Sequence, residues 1–340
     1  MCIRDSYRVV MLDQRGTGLS TPVGDADLER GSAAVAEYLT HLRADAIVRD
    51  CEAMREHLSA ETWSVLGQSF GGFTTLAYLS TDSDSLADVF ITGGLSTVDR
   101  HPDEVYALCY DKMRAASERY YRRFPEHRDV MRRLVDQAAA GEIVLPDGEV
   151  VSPSRLRSVG SALGTNDGWQ TVWSLLERDP ASNAFRHDLM HAMPYGGRNP
   201  LYFAFHESSY ASGHATRWSA ERTEPQDFRD DVTLFTGEHI RREWTETVPA
   251  FQPWRDVTLA LADFEWPRIY NEVAIAASGA TGAAAVYVND VYVPMEFSLE
   301  TARLLPGVEL WVTSEHEHNG VRSGPVLTHL IDLAHGRRIR

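Results

Sequence analysis

Cysteine is scarce in this sequence, with only Cys2, Cys51 and Cys109 present. Three scattered thiols cannot build a disulfide framework or a thiolate metal cluster, and their scarcity fits a reducing compartment. Apolar runs of membrane-spanning length are absent, and the opening residues carry no basic and apolar leader pattern. A cytoplasmic protein with no membrane partner is therefore expected. Basic residues are outnumbered, 33 Lys and Arg against 49 Asp and Glu, for a formal net charge of -16. That balance argues against nucleic acid as a partner and permits a cationic or amine-bearing substrate, although solubility alone accounts for most of such charge. No low-complexity segment interrupts the chain. What is there is 340 residues, 43% hydrophobic and 10% aromatic. This is enough for one large α/β domain or for a core carrying a big insertion.

The most informative stretch is Trp63-Ser64-Val65-Leu66-Gly67-Gln68-Ser69-Phe70-Gly71-Gly72. It reads as a short buried strand running through Gly67-Gln68-Ser69-Phe70-Gly71 into a helix from Phe73 to Leu79, the context in which a G-x-S-x-G run acquires chemical meaning. A serine at such a turn sits in a strained backbone conformation, with glycines letting neighbouring elements close in. Its hydroxyl then stands above the sheet beside the first amides of the helix, Phe70 foremost, which are placed to stabilise an oxyanion.

Taken in order, Met1 to Ser6 shows neither targeting pattern nor periodicity, and Tyr7 to Asp13 reads as an apolar strand buried on both faces. A chain seldom begins with such a strand. The expectation is that an upstream portion is missing and that the first six residues are foreign sequence. Gly16-Thr17-Gly18 follows this strand but lacks the third glycine, the acidic ribose partner and the lysine of a nucleotide loop. Val35 to Leu58 is helical in pattern, and Val89 to Leu95 is another buried strand ending in glycines. Strand and helix alternating in this way predicts a doubly wound, mostly parallel α/β sheet.

The alternation then stops. Asp103 to Phe124, Glu126 to Ala140, Ser152 to Ser161, Trp169 to Arg178 and Asn199 to Ser212 read as helices, with a hairpin at Ile143 to Val151 around Pro146-Asp147-Gly148. This block is rich in large aromatics and is expected to be a helical cap inserted between two strands, a common source of pocket walls. The resulting division is core over 7–96, cap over 97–250 and core again over 251–340. Val232 to Glu238 is either a strand or part of the cap, and Ala283 to Asp290 is a stronger strand. Ser298 to Leu305 is a helix capped by its serine, Val308 to Thr313 the last strand, and Val326 to Ala334 the last helix.

Ser69, then Asp290 after a later strand, then a histidine after the next is the chain order of an α/β-hydrolase triad. Parallel strands place their carboxyl ends on one side of the sheet, so these distant residues can meet. The serine needs an imidazole to take its proton and deliver it to the leaving group, and Asp290 would fix the imidazole tautomer. His316 and His318 share one loop, and spacing does not choose between them.

Beyond these patterns, the chain after Ser6 resembles the proline iminopeptidases of the α/β-hydrolase fold. The likeness is carried by Asp13-Gln14-Arg15-Gly16-Thr17-Gly18-Leu19-Ser20, Gly67-Gln68-Ser69-Phe70-Gly71-Gly72, Thr92-Gly93-Gly94-Leu95, Asn289-Asp290-Val291-Tyr292-Val293-Pro294 and Glu317-His318-Asn319-Gly320-Val321-Arg322. The resemblance selects His318 over His316. It implies a serine peptidase that needs no metal or cofactor and releases an N-terminal residue, typically proline, from short peptides. It further implies cap glutamates that hold the free amine, and Glu207 and Glu238 are the matching positions. One departure is the lack of the family's His-Gly-Gly-Pro-Gly loop and its strand. From this the resemblance implies a gap beside the Ser69 strand and an impaired enzyme. Two other readings stand beside it: an esterase or amidase for an uncharged substrate, which would not need Glu207, and a non-catalytic α/β fragment.

Overall fold

The computed structural model describes residues 7–338. Among these, four strands form one parallel sheet in the order β1 (Trp63–Gln68), β2 (Leu86–Thr92), β3 (Gly282–Tyr287) and β4 (Val308–Thr313). Alternate residues of the two central strands enter different cores, as the two-residue period of a strand requires. Val89, Ile91, Ala284 and Val286 pack with helices α2 (Ala44–His57) and α3 (Phe70–Thr81). Phe90, Ala283, Ala285 and Tyr287 pack on the other face against the helix Val326–Ala334. All six residues of β3 are buried, which explains its run of small side chains between two helical layers.

Between β2 and β3 the chain is helical. Helices α4 (Pro102–Arg123) and α5 (His127–Ala139) supply Tyr110, Met113, Tyr120, Met131 and Leu134 to a core separate from both faces of the sheet. The hairpin over 143–151 is a single antiparallel bridge, Val144 to Val150. The helical pattern from Val35 to Leu58 is two helices, α1 (Ser32–Leu39) and α2. The break sits at Arg43, whose buried guanidinium donates to the carbonyls of Pro267 and Ala211 and so ties the turn to a distant segment.

Four expectations are corrected. Tyr7 to Asp13 is not a buried strand: it has no ladder partner, and Val9, Val10 and Met11 are exposed. Extended backbone needs a paired neighbour to satisfy its amides and carbonyls. Here a cavity of about 390 Å3 is lined by Tyr7 to Leu12 on one hand and Trp63 to Leu66 on the other. For the same reason β1 is an edge strand, half-exposed at Leu66, instead of a buried one. Val232 to Glu238 is irregular, because side chains and a neighbouring loop take its polar groups. Tyr121 donates to the Thr233 carbonyl, Phe235 N–H to Ser117 Oγ, and Thr236 N–H to the Arg157 carbonyl. Ser298 is not an N-cap: the helix runs Met295–Ala302 behind Pro294, and the serine hydroxyl bonds back to the Pro294 carbonyl. The expectation for Met1 to Ser6 lies outside the described residues.

Candidate active site

The turn at Ser69 is built by backbone contact. Ser69 has φ 55° and ψ -121°, a conformation outside the usual wells for a residue with a side chain. It is held there because its N–H donates to the Thr92 carbonyl at 3.0 Å and its carbonyl accepts from Gly72 N–H at 2.8 Å. A Cβ on Gly67 would lie 2.3 Å from the Gly71 carbonyl oxygen, and one on Gly72 would lie 2.4 Å from that of Gly94. Gly67 and Gly72 are therefore the glycines sterically required, whereas a Cβ on Gly71 would meet nothing within 4 Å. The Phe70 N–H is the first of α3 and has no partner within the helix.

Asp290 and His318 come together beyond β3 and β4. His318 Nδ1 lies 2.7 Å from Asp290 Oδ2, with Asp290 buried at 1% exposure. The other carboxylate oxygen accepts from the N–H groups of Tyr292 at 2.8 Å and Val293 at 2.9 Å. An anionic Asp290 with both oxygens occupied as acceptors implies that Nδ1 carries the proton, leaving Nε2 as a base. Burial pulls the imidazole down, but the charge and hydrogen bond of Asp290 more than offset it, so His318 sits above its ordinary value. Ser69 joins this pair through Gly93 and Gln68. Ser69 N–H bonds the residue before Gly93, and Gln68 Nε2 donates to the His318 carbonyl at 3.4 Å. No hydrogen bond links Ser69 Oγ to His318 among the described residues, and such contacts commonly tighten only when substrate is bound.

His316 takes no part. Its ring faces Asn166 Nδ2 at 3.4 Å and Trp311, and it has no contact with Asp290.

Ser69 and Phe70 open on a cavity of about 260 Å3 walled by Phe73, Leu201, Tyr202, Phe205, His206, Tyr210, Tyr292 and Glu238, with Gln14 to Thr17 closing one side. The glycine turn after Asp13 is thus a cavity wall. Glu238 is the one acid of that lining, its side chain 19% exposed. Tyr202 donates its hydroxyl to Glu238 Oε1, and His206 Nε2 lies 3.8 Å from Oε2. Burial pushes His206 below its usual value, so it supplies no countercharge at neutral pH. No Lys or Arg pairs with Glu238 among the described residues.

Glu207, by contrast, does not face this cavity. It is 4% exposed, lines a separate small void, and accepts from the N–H groups of Ser219 at 3.2 Å and Ala220 at 2.9 Å. It caps a turn where the backbone would otherwise leave amides unsatisfied. Burial raises its pKa to about 7, partly opposed by those amides. As adjacent residues of a short 3-10 helix, His206 and Glu207 point different ways, so His206 faces the cavity and Glu207 turns inward.

Three contributions were not legible beforehand. Gly93, at φ +51°, passes so close under the pair that a Cβ there would sit 3.0 Å from His318 Nδ1 and 3.3 Å from Asp290 Oδ2. Tyr292 tilts its ring on His318 at 4.8 Å and hydrogen-bonds Ser161 in the helical region. Asn166 clamps the histidine loop, accepting from Glu317 N–H at 2.7 Å and donating its own N–H to Asn319 Oδ1 at 2.9 Å, while His318 N–H bonds the Gly164 carbonyl at 3.1 Å. Gly93 carried a signal in the strand-terminal Gly93-Gly94 pair and Tyr292 in the motif Asn289 to Pro294, whereas Asn166 carried none.

One set of possible metal ligands occurs among the described residues: Glu126, His127 and Glu177, with ligand atoms within 4.8 Å of one another. His127 is already bonded to Glu177 at 2.8 Å and Tyr120 at 2.7 Å, and none of the three lines the Ser69 cavity. No helix among the described residues is long and apolar enough to cross a membrane.

Residues 2–136 match a family model described as alpha/beta hydrolase fold. The chain is 36% identical over 333 residues to a proline iminopeptidase of Aeromonas sobria, covering 93% of this chain and 77% of that protein. It is 29% identical over 343 residues to a proline iminopeptidase of Aspergillus aculeatus, covering 94% of this chain and 76% of that protein. Among solved structures, an alpha/beta fold family hydrolase from Bacillus anthracis str. Sterne is similar at a TM-score of 0.38 and 16% identity, over 94% of this chain and 79% of that one.

Proposed function

The chain belongs to the proline iminopeptidase family of α/β-hydrolases, and from that premise we propose how its site releases an N-terminal residue, preferably proline, from short peptides. It is a serine hydrolase of the prolyl aminopeptidase type. Ser69 Oγ attacks the carbonyl of the first residue while His318 Nε2 takes its proton. Asp290 holds the imidazole by Nδ1 and stabilises the imidazolium that forms. The Phe70 N–H donates to the oxyanion, and His318 then protonates the departing amine nitrogen. Water, activated by the same histidine, releases the residue from Ser69.

The observation that carries this reading is Glu238. A carboxylate in an aromatic cavity beside the nucleophile, with no cation paired to it, leaves a place for one positive charge. The protonated amine of a substrate's first residue supplies that charge, and the enclosing Tyr202, Tyr210 and Tyr292 rings favour it further. An esterase for an uncharged substrate would gain nothing from a desolvated acid there. Glu207 serves the fold of this wall, not the amine directly. The free thiols of Cys51 and Cys109 fit a reducing compartment such as the cytoplasm.

The test compares prolyl-arylamide with its N-acetylated form. Turnover of the free-amine substrate at least a hundredfold above the acetylated one is expected. Equal rates would overturn the amine-recognition reading, and turnover of neither would overturn the aminopeptidase reading.

A further inference from the structure

We propose that the open groove beside His318 holds the leaving peptide and reads its C-terminal carboxylate through Arg322 and Arg123. This rests on the aminopeptidase reading and supplies the other half of the substrate. The acid that protonates the departing nitrogen must reach it, so the leaving peptide emerges on the His318 side of Ser69 and away from Glu238.

On that side lies a groove of about 830 Å3, lined among others by Asn319, which directly follows His318, and by Arg322, Arg123 and Trp173. Gln68 connects it to the nucleophile. It precedes Ser69, its Nε2 donates to the His318 carbonyl at 3.4 Å, and its Oε1 lies 3.5 Å from Arg322 Nη2. A leaving peptide extended at roughly 3.5 Å per residue needs only a few residues to pass from Ser69 along the Gln68 side chain to Arg322.

The charge is the second argument. In a chain of net charge -16, most arginines near an acid are paired with it, as Arg100, Arg114, Arg128 and Arg222 are. Neither Arg322 nor Arg123 forms an ion pair among the described residues, and Asp167 is the one acid on the groove wall. Two guanidiniums against one carboxylate leave the groove net positive, and the planar fork of arginine matches a carboxylate bidentately. Trp173, 42% exposed on the same wall, offers an apolar face to the residue in between. Short free peptides, whose C-terminal carboxylate lies within a few residues of the scissile bond, are the substrate class this groove fits.

The experiment measures kcat/KM for Pro-Gly-Gly and for Pro-Gly-Gly amide in the wild type, Arg322→Gln, Arg322→Lys and Arg123→Gln, with prolyl-arylamide turnover beside each. Because both side chains are exposed, a wild-type preference for the free acid of roughly three- to tenfold is expected, carried by KM and weakened by salt. Arg322→Gln should bring the acid-to-amide ratio close to one, and Arg322→Lys should keep part of it. The ratio is internal to each enzyme, so a general loss of activity does not move it. A wild-type ratio of one with arylamide still hydrolysed overturns the subsite alone, as does a ratio that survives both Arg322→Gln and Arg123→Gln. An enzyme that cleaves neither peptide nor arylamide overturns the aminopeptidase reading and the subsite with it.

Discussion

Replacing Glu238 by Gln removes the cavity's unpaired charge while keeping its shape and one acceptor oxygen. Two unit charges about 4 Å apart attract by roughly 4 kcal/mol at the effective dielectric of a partly buried site. The side chain is 19% exposed, so solvent screens part of that, and Gln keeps a neutral hydrogen bond to the ammonium. A net loss of about 2–3 kcal/mol remains, or roughly 30- to 150-fold in kcat/KM. Tyr202 and His206 each lose a charged neighbour but no volume, so the cavity should keep its form. The assay follows prolyl-arylamide and an acyl ester lacking an amine in the same preparation. The ratio of the two should fall by the same 30- to 150-fold factor, because only one substrate carries the positive charge. If both substrates fall together, Glu238 holds the architecture and not the amine. If neither falls, the reasoning from its unpaired charge is wrong.

Other predictions follow from the same geometry. Asp290→Asn should lower kcat by about 10³- to 10⁴-fold through the wrong imidazole tautomer, with the cooperative melt retained. With His318 as the proposed neutral base, its rise above the ordinary value should put the midpoint of the acid limb of kcat/KM above about 6.5. In Asp290→Asn, residual activity should show that limb shifted to lower pH. Gly93→Ala places a Cβ 3.0 Å from His318 Nδ1 at a φ of +51°, so kcat should drop at least tenfold with a strain cost of about 1 kcal/mol in denaturant unfolding. Glu207, unlike Glu238, should register in stability. Its carboxyl is held near pH 7 against an ordinary 4.5, so the folded state binds the proton more tightly and stability falls as pH rises from about 4.5 to 7. The total is about 3 kcal/mol, and Glu207→Gln should flatten the dependence of the urea midpoint on pH over that window.

The sequence made the core legible where a single local rule governed it. The turn at Ser69, the last strand Val308–Thr313 and the last helix Val326–Ala334 follow from glycine punctuation and apolar periodicity. That Asp290 meets a histidine of the loop after Thr313 followed from parallel strands ending on one side of a sheet, whereas the choice of His318 over His316 came only from the family resemblance. Non-local demands account for what was not legible. Tyr7 to Asp13 has the apolar pattern of a strand, but a strand also needs a partner edge, which composition does not report. Val232 to Glu238 forms no strand because its backbone groups pair instead with the Tyr121 hydroxyl, Ser117 Oγ and the Arg157 carbonyl, all distant in sequence. The resemblance put Glu207 first and Glu238 second as amine-binding residues, and the direction each side chain takes reverses that order. The Asn166 clamp rests on three hydrogen bonds between segments about 150 residues apart, and no periodicity encodes that.

The central claim is that Ser69 is a nucleophile addressed through the substrate's free amine. A phosphonate ester analogue of proline, offered with its amine free or acetylated, tests both parts in one measurement of intact mass and peptide mapping. The account predicts a single adduct on Ser69, formed at least tenfold faster with the free amine and slowed in Glu238→Gln. No adduct, an adduct on another residue, or equal rates for the two analogues would contradict it.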